Sequence, residues 1–425
     1  MAIPVSRSRR MTAASAVALL SLITQACGGD DGDTARAESA ASTTRPPSTE
    51  AAASATAASE TADAPASSEH VKVMLIIDGT GVQALPNSAE ANIRGAIQKV
   101  ATEGGPQIEL LVCDTKSTAA DASNCARDAV SAGVVMEISY STLGSAIIPI
   151  LEEAGIASLN LGFSGEELTA ENSFIMELNY PSLAAQVTYL ARQGATNIHP
   201  VISDLGPATD QAAAIMQVAA ELAGVTWDGY EVVPADAADM APYVEASAKD
   251  SVDGIPVTIL GPDAATFIVQ ARNMGKQQLM VGTSSLLTGT EGLGDAGEGV
   301  LITGAQLPFD VDSEANADYQ SYMDAVDPDG KYKETFNGIA WAAILALAEA
   351  LEAGHEPTAA GVLAGISELS NFDTGIIPPM DFTAPGSCAP QLPRQFSCAF
   401  RELVIQDGAL VALSDGWVPA FATPG

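Results

Sequence analysis

Residues Val71–Ile77 read VKVMLII, and the residues Asp78–Gly81 that follow them read DGTG. An apolar run of this length without alternation is typical of a strand that is buried on both faces, as in a parallel sheet covered by helices. The glycines after the run permit a tight turn, and Ala89–Thr102 has the pattern of a helix. This stretch therefore predicts a β-strand followed by an α-helix, the repeating unit of an α/β fold.

The same alternation continues along the chain. Further strands are predicted at Ile108–Cys113, Val134–Ile138, Ala157–Leu161, Ser173–Leu178, Ile198–Ser203, Tyr230–Val233, Pro256–Leu260, Leu279–Val281 and Val300–Gly304, with a terminal pair at Phe400–Gln406 and Leu410–Leu413. Helices are predicted at Ala119–Ala132, Ser145–Ala154, Pro181–Gln193, Gln211–Ala223, Tyr243–Lys249, Ala264–Met274 and Gly338–Ala353. So many strands need two successive doubly wound parallel sheets, and a chain of 425 residues suits two domains better than one.

The N-terminus has the layout of a secretory signal. Arginines precede the apolar run Met11–Ile23, which is too short to span a membrane as a mature helix. A small residue, Ala26, stands before Cys27, and a Gly-rich acidic stretch follows, as at a bacterial lipoprotein cleavage site. We predict that residues 1–26 are removed and that Cys27 carries a lipid. Plain cleavage after Ala26, which would leave a free protein, and twin-arginine export through Arg9-Arg10 stay open.

Residues 27–69 are rich in Ala, Ser, Thr and Pro and have no apolar period. Such a segment cannot bury enough apolar surface to offset the entropy of ordering it, so we predict a disordered tether. No later segment is apolar for long enough to cross a bilayer. The lipid is therefore the expected attachment to the membrane.

The charge of the chain excludes several kinds of partner. The sequence has 18 Lys and Arg against 53 Asp and Glu, a formal net charge of -35. Nucleic-acid backbones and anionic lipid surfaces would repel such a protein. We expect the acidic residues to form a solvated surface that keeps an exported protein soluble.

Four cysteines remain apart from Cys27, in a chain expected to reach an oxidising compartment. The simplest pairing is local: Cys113 with Cys125, and Cys388 with Cys398. A zinc site is the competing interpretation, but these cysteines form no close pairs and the three histidines show no ligand spacing. We therefore predict disulfides and no metal.

No catalytic motif is recognisable. Gly292–Gly297 matches the glycine spacing of a dinucleotide-binding loop, but it leads into the predicted strand Val300–Gly304 and not from a strand into a helix. Gly162–Gly165 lacks the spacing of a nucleophile elbow, and the scattered histidines do not favour a catalytic triad. We expect a protein without catalytic residues and without a cofactor.

Short stretches along the chain resemble one family. These stretches are Cys113-Asp114, Cys125–Asp128, Pro149–Ile156, Glu166–Thr169, Gly297–Val300, Phe336–Trp341 and Met380–Thr383. Through them, the chain from about Val71 to Val418 resembles type I periplasmic-binding-fold receptors, in particular the branched-chain amino-acid (leucine/isoleucine/valine) branch of ABC-transporter substrate-binding proteins.

The resemblance implies two doubly wound lobes joined by several hinge crossovers, which close over a small-molecule ligand. It places 70–180 and 305–375 in an N-terminal lobe, and 181–304 and 376–425 in a C-terminal lobe. It also implies an extracytoplasmic monomer that delivers its ligand to an ABC permease in the membrane. Ligand sensing, in which a signalling partner detects the same closure, is the alternative that the sequence leaves open.

The resemblance also suggests ligand contacts in the N-terminal lobe. In the family, the turns that match Ser139–Thr142 and Gly162–Ser164 hold an amino-acid carboxylate through backbone N–H groups and hydroxyls. It thus implies roles for Ser141, Thr142, Phe163 and Ser164. The alternative is that these hydroxyls only cap helices. The turn after the first strand adds two further candidates, Thr80 and Gln83.

The C-terminal lobe departs from the family pattern. The family commonly has an aromatic residue near Ala208 and an acid near Ser284, where this sequence has small neutral residues. An unpaired ligand ammonium would be costly to bury, so an ordinary α-amino acid is disfavoured unless Asp204, Asp210 or Asp263 replaces the missing acid. Asp263 is the preferred substitute, although it could instead cap the helix that follows it. Ser284, at the position of the family's acid, is a further candidate contact.

Overall fold

The predicted strands form two separate sheets in the computed structural model. The structure describes residues 70–81, 88–234, 237–260, 262–284, 292–308, 311, 313–329 and 338–421. The predicted signal peptide, the predicted lipidation site Cys27, the predicted tether at 27–69 and the candidate Gln83 lie outside the described residues. Within the described part of the chain, no helix combines the length and the apolar character needed to span a membrane.

The first sheet is wholly parallel. Its strands are β1 (Val71–Ile77), β2 (Ile108–Asp114), β3 (Met136–Tyr140), β4 (Ala157–Asn160) and β5 (Ser173–Ile175), in the order β2-β1-β3-β4-β5. The register places Val73 beside Leu110 on one side and beside Met136 on the other. The strand from which the sequence prediction started is therefore an interior strand with a neighbour on each side, which explains its unbroken apolar run.

Helices cover both faces of this sheet. They are α1 (Ser88–Thr102), α2 (Ala119–Ala132), α3 (Gly144–Glu153), α4 (Gly165–Thr169), and three that return late in the chain, α9 (Glu314–Val326), α10 (Gly338–Glu352) and α11 (Ala359–Glu368). The ends of α2 are set by local sequence, since the Thr118 hydroxyl accepts a hydrogen bond from the Asp121 N–H and Gly133 ends the helix at a φ of 69°. Helices α4, α9 and α11 were not predicted from the sequence. We call the first sheet and these helices the first lobe.

The second sheet is parallel at its centre. Its strands are β6 (Asn197–Ile198), β7 (Val201–Ser203), β8 (Thr226–Trp227), β9 (Glu231–Val233), β10 (Gly254–Thr258), β11 (Leu279–Thr283), β12 (Leu301–Gly304), β13 (Ala399–Gln406), β14 (Ala409–Ala412) and β15 (Val418–Pro419). The strand predicted at 198–203 is divided at His199-Pro200, and β6 and β7 both pair with β10. Proline has no N–H to donate to a neighbouring strand, which explains the division.

Among the described residues, four helices accompany the second sheet, and we call this sheet and these helices the second lobe. They are α5 (Asn179–Arg192), α6 (Pro207–Ala223), α7 (Ala241–Ser247) and α8 (Pro262–Asn273). The predicted terminal pair is an antiparallel hairpin of β13 and β14. Asp407 and Gly408 both have positive φ at its turn, 51° and 80°, as an Asp-Gly hairpin turn requires. The predicted α/β class with two doubly wound lobes is confirmed.

The chain crosses between the lobes at the carboxyl ends of strands. After β5, Leu178 already belongs to the core of the second lobe. After β12, the Leu307 N–H donates to the Ile376 carbonyl at 2.8 Å, and Ile376 lies in the core of the first lobe. A third crossover runs beside the first one, where the Phe396 N–H donates to the Ile175 carbonyl at 3.0 Å. The carboxyl ends of both sheets therefore border the junction between the lobes.

An aromatic cluster joins this crossover region to the first lobe. The Phe174 ring of β5 lies 5.6 Å from the Phe382 ring and 5.8 Å from the Phe396 ring, measured between centroids. All three side chains belong to the core of the first lobe. The lobe boundary predicted at residue 375 stays a prediction.

Both predicted cysteine pairs lie within disulfide distance, with Cα atoms 5.7 Å apart for Cys113 and Cys125 and 5.3 Å apart for Cys388 and Cys398. We expect Cys113→Ala with Cys125→Ala to lower the free energy of unfolding by about 3 kcal/mol, because the bridge closes a short loop of the unfolded chain. Chemical denaturation of the variant against the wild type measures the loss. Denaturation under reducing conditions is the control, since it should then remove most of the difference.

Candidate functional site

The first sheet has a topological switch point between β1 and β3. The chain leaves β1 towards β2 at one edge and leaves β3 towards β4 and β5 at the other, so the connections after β1 and β3 diverge. Open α/β sheets bind ligands in the crevice at this point. Asp78 follows β1, and the predicted site residues Ser141 and Thr142 follow β3. These two candidates thus stand at the expected place.

The side chain of Asp78 is fully buried at this switch point. Its Oδ1 accepts hydrogen bonds from the Thr115 hydroxyl and, at 2.6 Å, from the Ser141 hydroxyl. Its Oδ2 accepts from the backbone N–H and the hydroxyl of Thr142 at 2.8 and 2.9 Å. Four donors on one carboxylate compensate the cost of burying it. The hydroxyls of Ser141 and Thr142 are therefore directed at a carboxylate of the chain itself.

Thr80 has a similar partner. Its hydroxyl donates to Oδ2 of Asp114 at 2.6 Å, while Oδ1 of Asp114 accepts from the N–H groups of Gly79, Thr80 and Lys116. Burial by itself would raise the pKa of Asp114, but these hydrogen bonds together lower it. A Cβ on Gly81 would lie 2.5 Å from the Lys116 carbonyl oxygen, so this turn requires glycine. The turns after β1 and β2 are therefore joined by hydrogen bonds and packed closely together.

The third turn, after β4, is closed by a capping box. The Ser164 N–H donates to Oε2 of Glu167 at 2.7 Å, and the Ser164 hydroxyl accepts from the Glu167 N–H at 3.3 Å. Burial raises the pKa of Glu167 to about 7, although its hydrogen bonds to Ser164, Phe163 and Gly162 act in the opposite direction. A Cβ on Gly144 would lie 2.4 Å from the Glu167 side chain, so the start of α3 packs directly on it. Ser164 thus caps α4, and ligand contact stays a prediction.

The candidates of the second lobe lie on three separate loops at the carboxyl edge of its sheet. Asp210 is in the first turn of α6, and its Oδ1 accepts from the Tyr230 hydroxyl at 2.6 Å. Asp263 is in the first turn of α8. Ser284 follows β11 and donates its N–H to the Thr303 carbonyl at 3.1 Å. The described contacts of Asp210 and Ser284 are to the chain itself, and ligand contact by these residues stays a prediction.

Large apolar side chains are exposed in three of these turns. The exposed fractions are 46% for Phe163 after β4, 50% for Leu205 after β7 and 48% for Leu260 after β10. The turns after β7 and β10 are adjacent, since the Leu260 N–H donates to the Ser203 hydroxyl at 2.9 Å. An apolar residue that stays exposed beside a crevice is a frequent feature of binding sites. Phe163 was a predicted contact, whereas both leucines were missed.

The sequence carried a signal for the two leucines. The tripeptide Leu-Gly-Pro occurs at Leu205–Pro207 and again at Leu260–Pro262, each time between a strand and a helix. Since β7 and β10 are parallel neighbours, equal tripeptides at their ends place the two leucines on adjacent turns. Asp78 was also missed as a site residue. The sequence signal that could have identified Asp78 is its position as an acidic residue directly after the apolar run Val71–Ile77.

Comparisons with solved structures agree on the fold. The chain is similar to a putative branched-chain amino acid ABC transporter protein from Rhodospirillum rubrum, with 18% identity, coverage of 81% of this chain and 100% of that chain, and a TM-score of 0.66. It is also similar to the branched-chain amino acid transporter substrate-binding protein LivJ from Streptococcus pneumoniae, in complex with isoleucine. The identity is 16%, the match covers 83% of this chain and 100% of that chain, and the TM-score is 0.64.

A third similar structure is named for a different solute. It is a fatty acid ABC transporter substrate-binding protein from Thermomonospora curvata, at 20% identity, coverage of 81% of this chain and 92% of that chain, and a TM-score of 0.63. A search of curated protein sequences finds no match. Residues 70–391 match the family model described as periplasmic binding protein. That match spans most of the chain, and the two lobes with their crossovers agree with it. The protein therefore belongs to the periplasmic binding protein family.

Proposed function

We propose that the protein captures a small organic solute outside the cell by closure of its two lobes and delivers it to an ABC permease. Membership of the family implies an extracytoplasmic location. The proposal adds that Cys27 carries the lipid that tethers the protein to the membrane, and that the folded body acts as a monomer.

One observation carries this proposal. The carboxyl ends of both sheets border the junction between the lobes, and Phe163, Leu205 and Leu260 expose apolar surface there. Hinge closure would remove this surface from water and press it against a bound solute. The crossover segments would form this hinge. Two of them run side by side, since Ile175 and Gln395 form a parallel bridge.

The contacts of the turns support binding without catalysis. The hydroxyls of Thr80, Ser141 and Thr142 donate to the carboxylates of Asp114 and Asp78, which already accept several backbone N–H groups. A nucleophilic hydroxyl needs a base that can take its proton, usually a histidine. We propose that these hydroxyls order the turns and perform no chemistry.

We expect a bound solute to stabilise the full-length protein by about 2.7 kcal/mol at a hundredfold excess over Kd. The measurement is a thermal-shift panel of amino acids, amides, short fatty acids and other small metabolites, and small-angle scattering then checks that the hit reduces the radius of gyration. Native mass spectrometry of gently purified protein identifies a solute that has copurified. A protein that binds no solute by any of these three measurements would contradict the proposal.

A pair of leucine variants separates the site from the rest of the surface. Leu205 and Leu413 are similarly exposed, at 50% and 45%, but Leu413 follows β14 in the terminal hairpin. We expect Leu205→Ala to weaken binding of the hit roughly tenfold, which is the ordinary effect of losing a buried leucine side chain at a ligand. Leu413→Ala should leave Kd unchanged. Equal Kd values for both variants would remove Leu205 from the site.

A further inference from the structure

Carboxylates of this chain already occupy the donors of the first-lobe turns. Asp78 accepts from Ser141 and Thr142, Asp114 accepts from Thr80, and the capping box pairs Glu167 with Ser164. Each of these turns would otherwise offer hydroxyl or N–H groups to a ligand anion at the carboxyl edge of the sheet. The chain therefore supplies its own carboxyl groups where a ligand carboxylate would have to bind.

A ligand carboxylate would also meet a like charge at the switch point. Asp78 is fully buried and takes all four of its described donors from the turns themselves. A second carboxylate placed beside the hydroxyls of Ser141 or Thr142 would have to share those donors. It would also be repelled by Asp78, because two neighbouring carboxylates disfavour each other's charged form.

Basic residues are scarce at the same edges. In the sequence between each parallel strand and the helix that follows it, Lys116 is the only Lys or Arg. Its Nζ lies 3.5 Å from Oδ1 of Asp121. Acidic side chains also follow strands, as with Asp204 after β7 and Glu177 after β5. The described strand-to-helix turns thus offer an anion few positively charged side chains.

Apolar surface is present instead. Phe163 in the first lobe and Leu205 and Leu260 in the second are about half exposed. Each side chain would gain free energy if a ligand covered it. A ligand that suits this combination has an apolar body and polar groups that carry no negative charge.

We infer that the cleft selects a non-anionic amphipathic solute, uncharged or cationic, and that Asp78 excludes a free carboxylate from the first-lobe turns. The inference rests on the proposed function, since it concerns the ligand of the same cleft. It distinguishes this chain from a receptor for an ordinary amino acid or a fatty acid, both of which carry a carboxylate.

Matched pairs of probes test this inference on the full-length protein. Each pair keeps the apolar body and replaces the carboxylate by an amide: L-leucine with L-leucinamide, isovalerate with isovaleramide, and octanoate with octanamide. We expect the amide of at least one pair to bind, and its acid to bind at least about tenfold more weakly, as like-charge repulsion in a partly buried site predicts. Calorimetric titration at constant ionic strength gives the two Kd values.

The variant Asp78→Asn removes the negative charge with little change in shape. We expect it to reduce the ratio between the acid and amide Kd values by about tenfold, because the repulsion of the acid disappears. Asp128→Asn is the matched control, since Asp128 is an exposed carboxylate near the end of α2, away from the carboxyl edge of the sheet. It should leave the ratio unchanged.

The outcomes separate this inference from the proposed function. If an acid binds as tightly as its amide or more tightly, or if native mass spectrometry identifies a copurified carboxylic acid, the inference is wrong while the proposed function stands. If no solute binds at all, the proposed function fails and the inference fails with it. The probe pairs are measured on the wild type, so the test remains decisive even if Asp78→Asn does not fold.

Discussion

We expect the Phe174→Ala variant to lower the free energy of unfolding by about 4 kcal/mol, the usual cost of removing a buried phenylalanine ring. Phe174 is fully buried in β5. Its ring makes an edge contact with Phe382 at 89° and a stacked contact with Phe396 at 28°, and the Arg394 guanidinium lies 4.7 Å above its centroid. The substitution would leave a cavity between β5 and two segments from distant parts of the chain.

Phe163→Ala is the matched control, because the same residue type lies only eleven positions earlier with 46% of its surface exposed. We expect this variant to change the free energy of unfolding by less than about 0.5 kcal/mol, as is usual for an exposed site. Chemical denaturation of both variants, followed by far-ultraviolet circular dichroism, gives the comparison. Similar losses in the two variants would mean that Phe174 does not occupy the packed position described here.

We expect the protein to lose at least about 3 kcal/mol of stability between pH 5 and pH 8 because of buried carboxyl groups. Glu137 on β3 is fully buried, and burial together with the nearby Glu167 charge raises its pKa from 4.5 to about 8, against the opposing hydrogen bond from Ser158. Burial also raises the pKa values of Glu167 and Glu177 to about 7. At pH values between 4.5 and these raised pKa values, the three carboxyl groups are protonated in the folded protein but ionised in the unfolded chain.

The direction of the effect follows from that difference. Above pH 4.5 the unfolded chain binds fewer protons than the folded protein, so stability falls as the pH rises and stops falling near pH 8. Below about pH 4 the opposite effect acts, because hydrogen-bonded carboxylates such as Asp114 and Asp253 have lowered pKa values and lose their contribution on protonation. The protein should therefore be most stable near pH 5.

Glu137→Gln tests the origin of this dependence. Glutamine keeps the shape and can still accept the hydrogen bond that the Ser158 hydroxyl donates to Oε2 at 2.6 Å, but it does not titrate. We expect the variant to match the wild type at pH 5, to exceed it at pH 8, and so to flatten the curve of unfolding free energy against pH. Glu109→Gln, on an exposed position of β2, should leave the curve unchanged. A wild-type curve that rises from pH 5 to pH 8 would contradict the prediction.

The fold was largely predictable because its determinants are local. Buried parallel strands such as β1 must be apolar on both faces, and that requirement is visible as an unbroken run. Thr118 and Gly133 fix the two ends of α2 through hydrogen bonds to their own neighbours, so its predicted bounds agree with the structure. By contrast, α9 was missed, since only Asn316, Tyr319 and Met323 are buried and the rest of that helix has no clear apolar stripe.

The sequence by itself predicted most of the strands and helices, the two cysteine pairs, and the turns in which we place the candidate site. Tertiary structure alone decided which groups those turns leave available to a ligand. Ser141 and Thr142 come more than sixty residues after Asp78, and only the pairing of β1 with β3 brings their hydroxyls to its carboxylate. The sequence does not show whether the hydroxyl of a serine or threonine faces a ligand or donates to another residue of the chain. Hydrogen bonding depends on distance in space and not on separation in sequence.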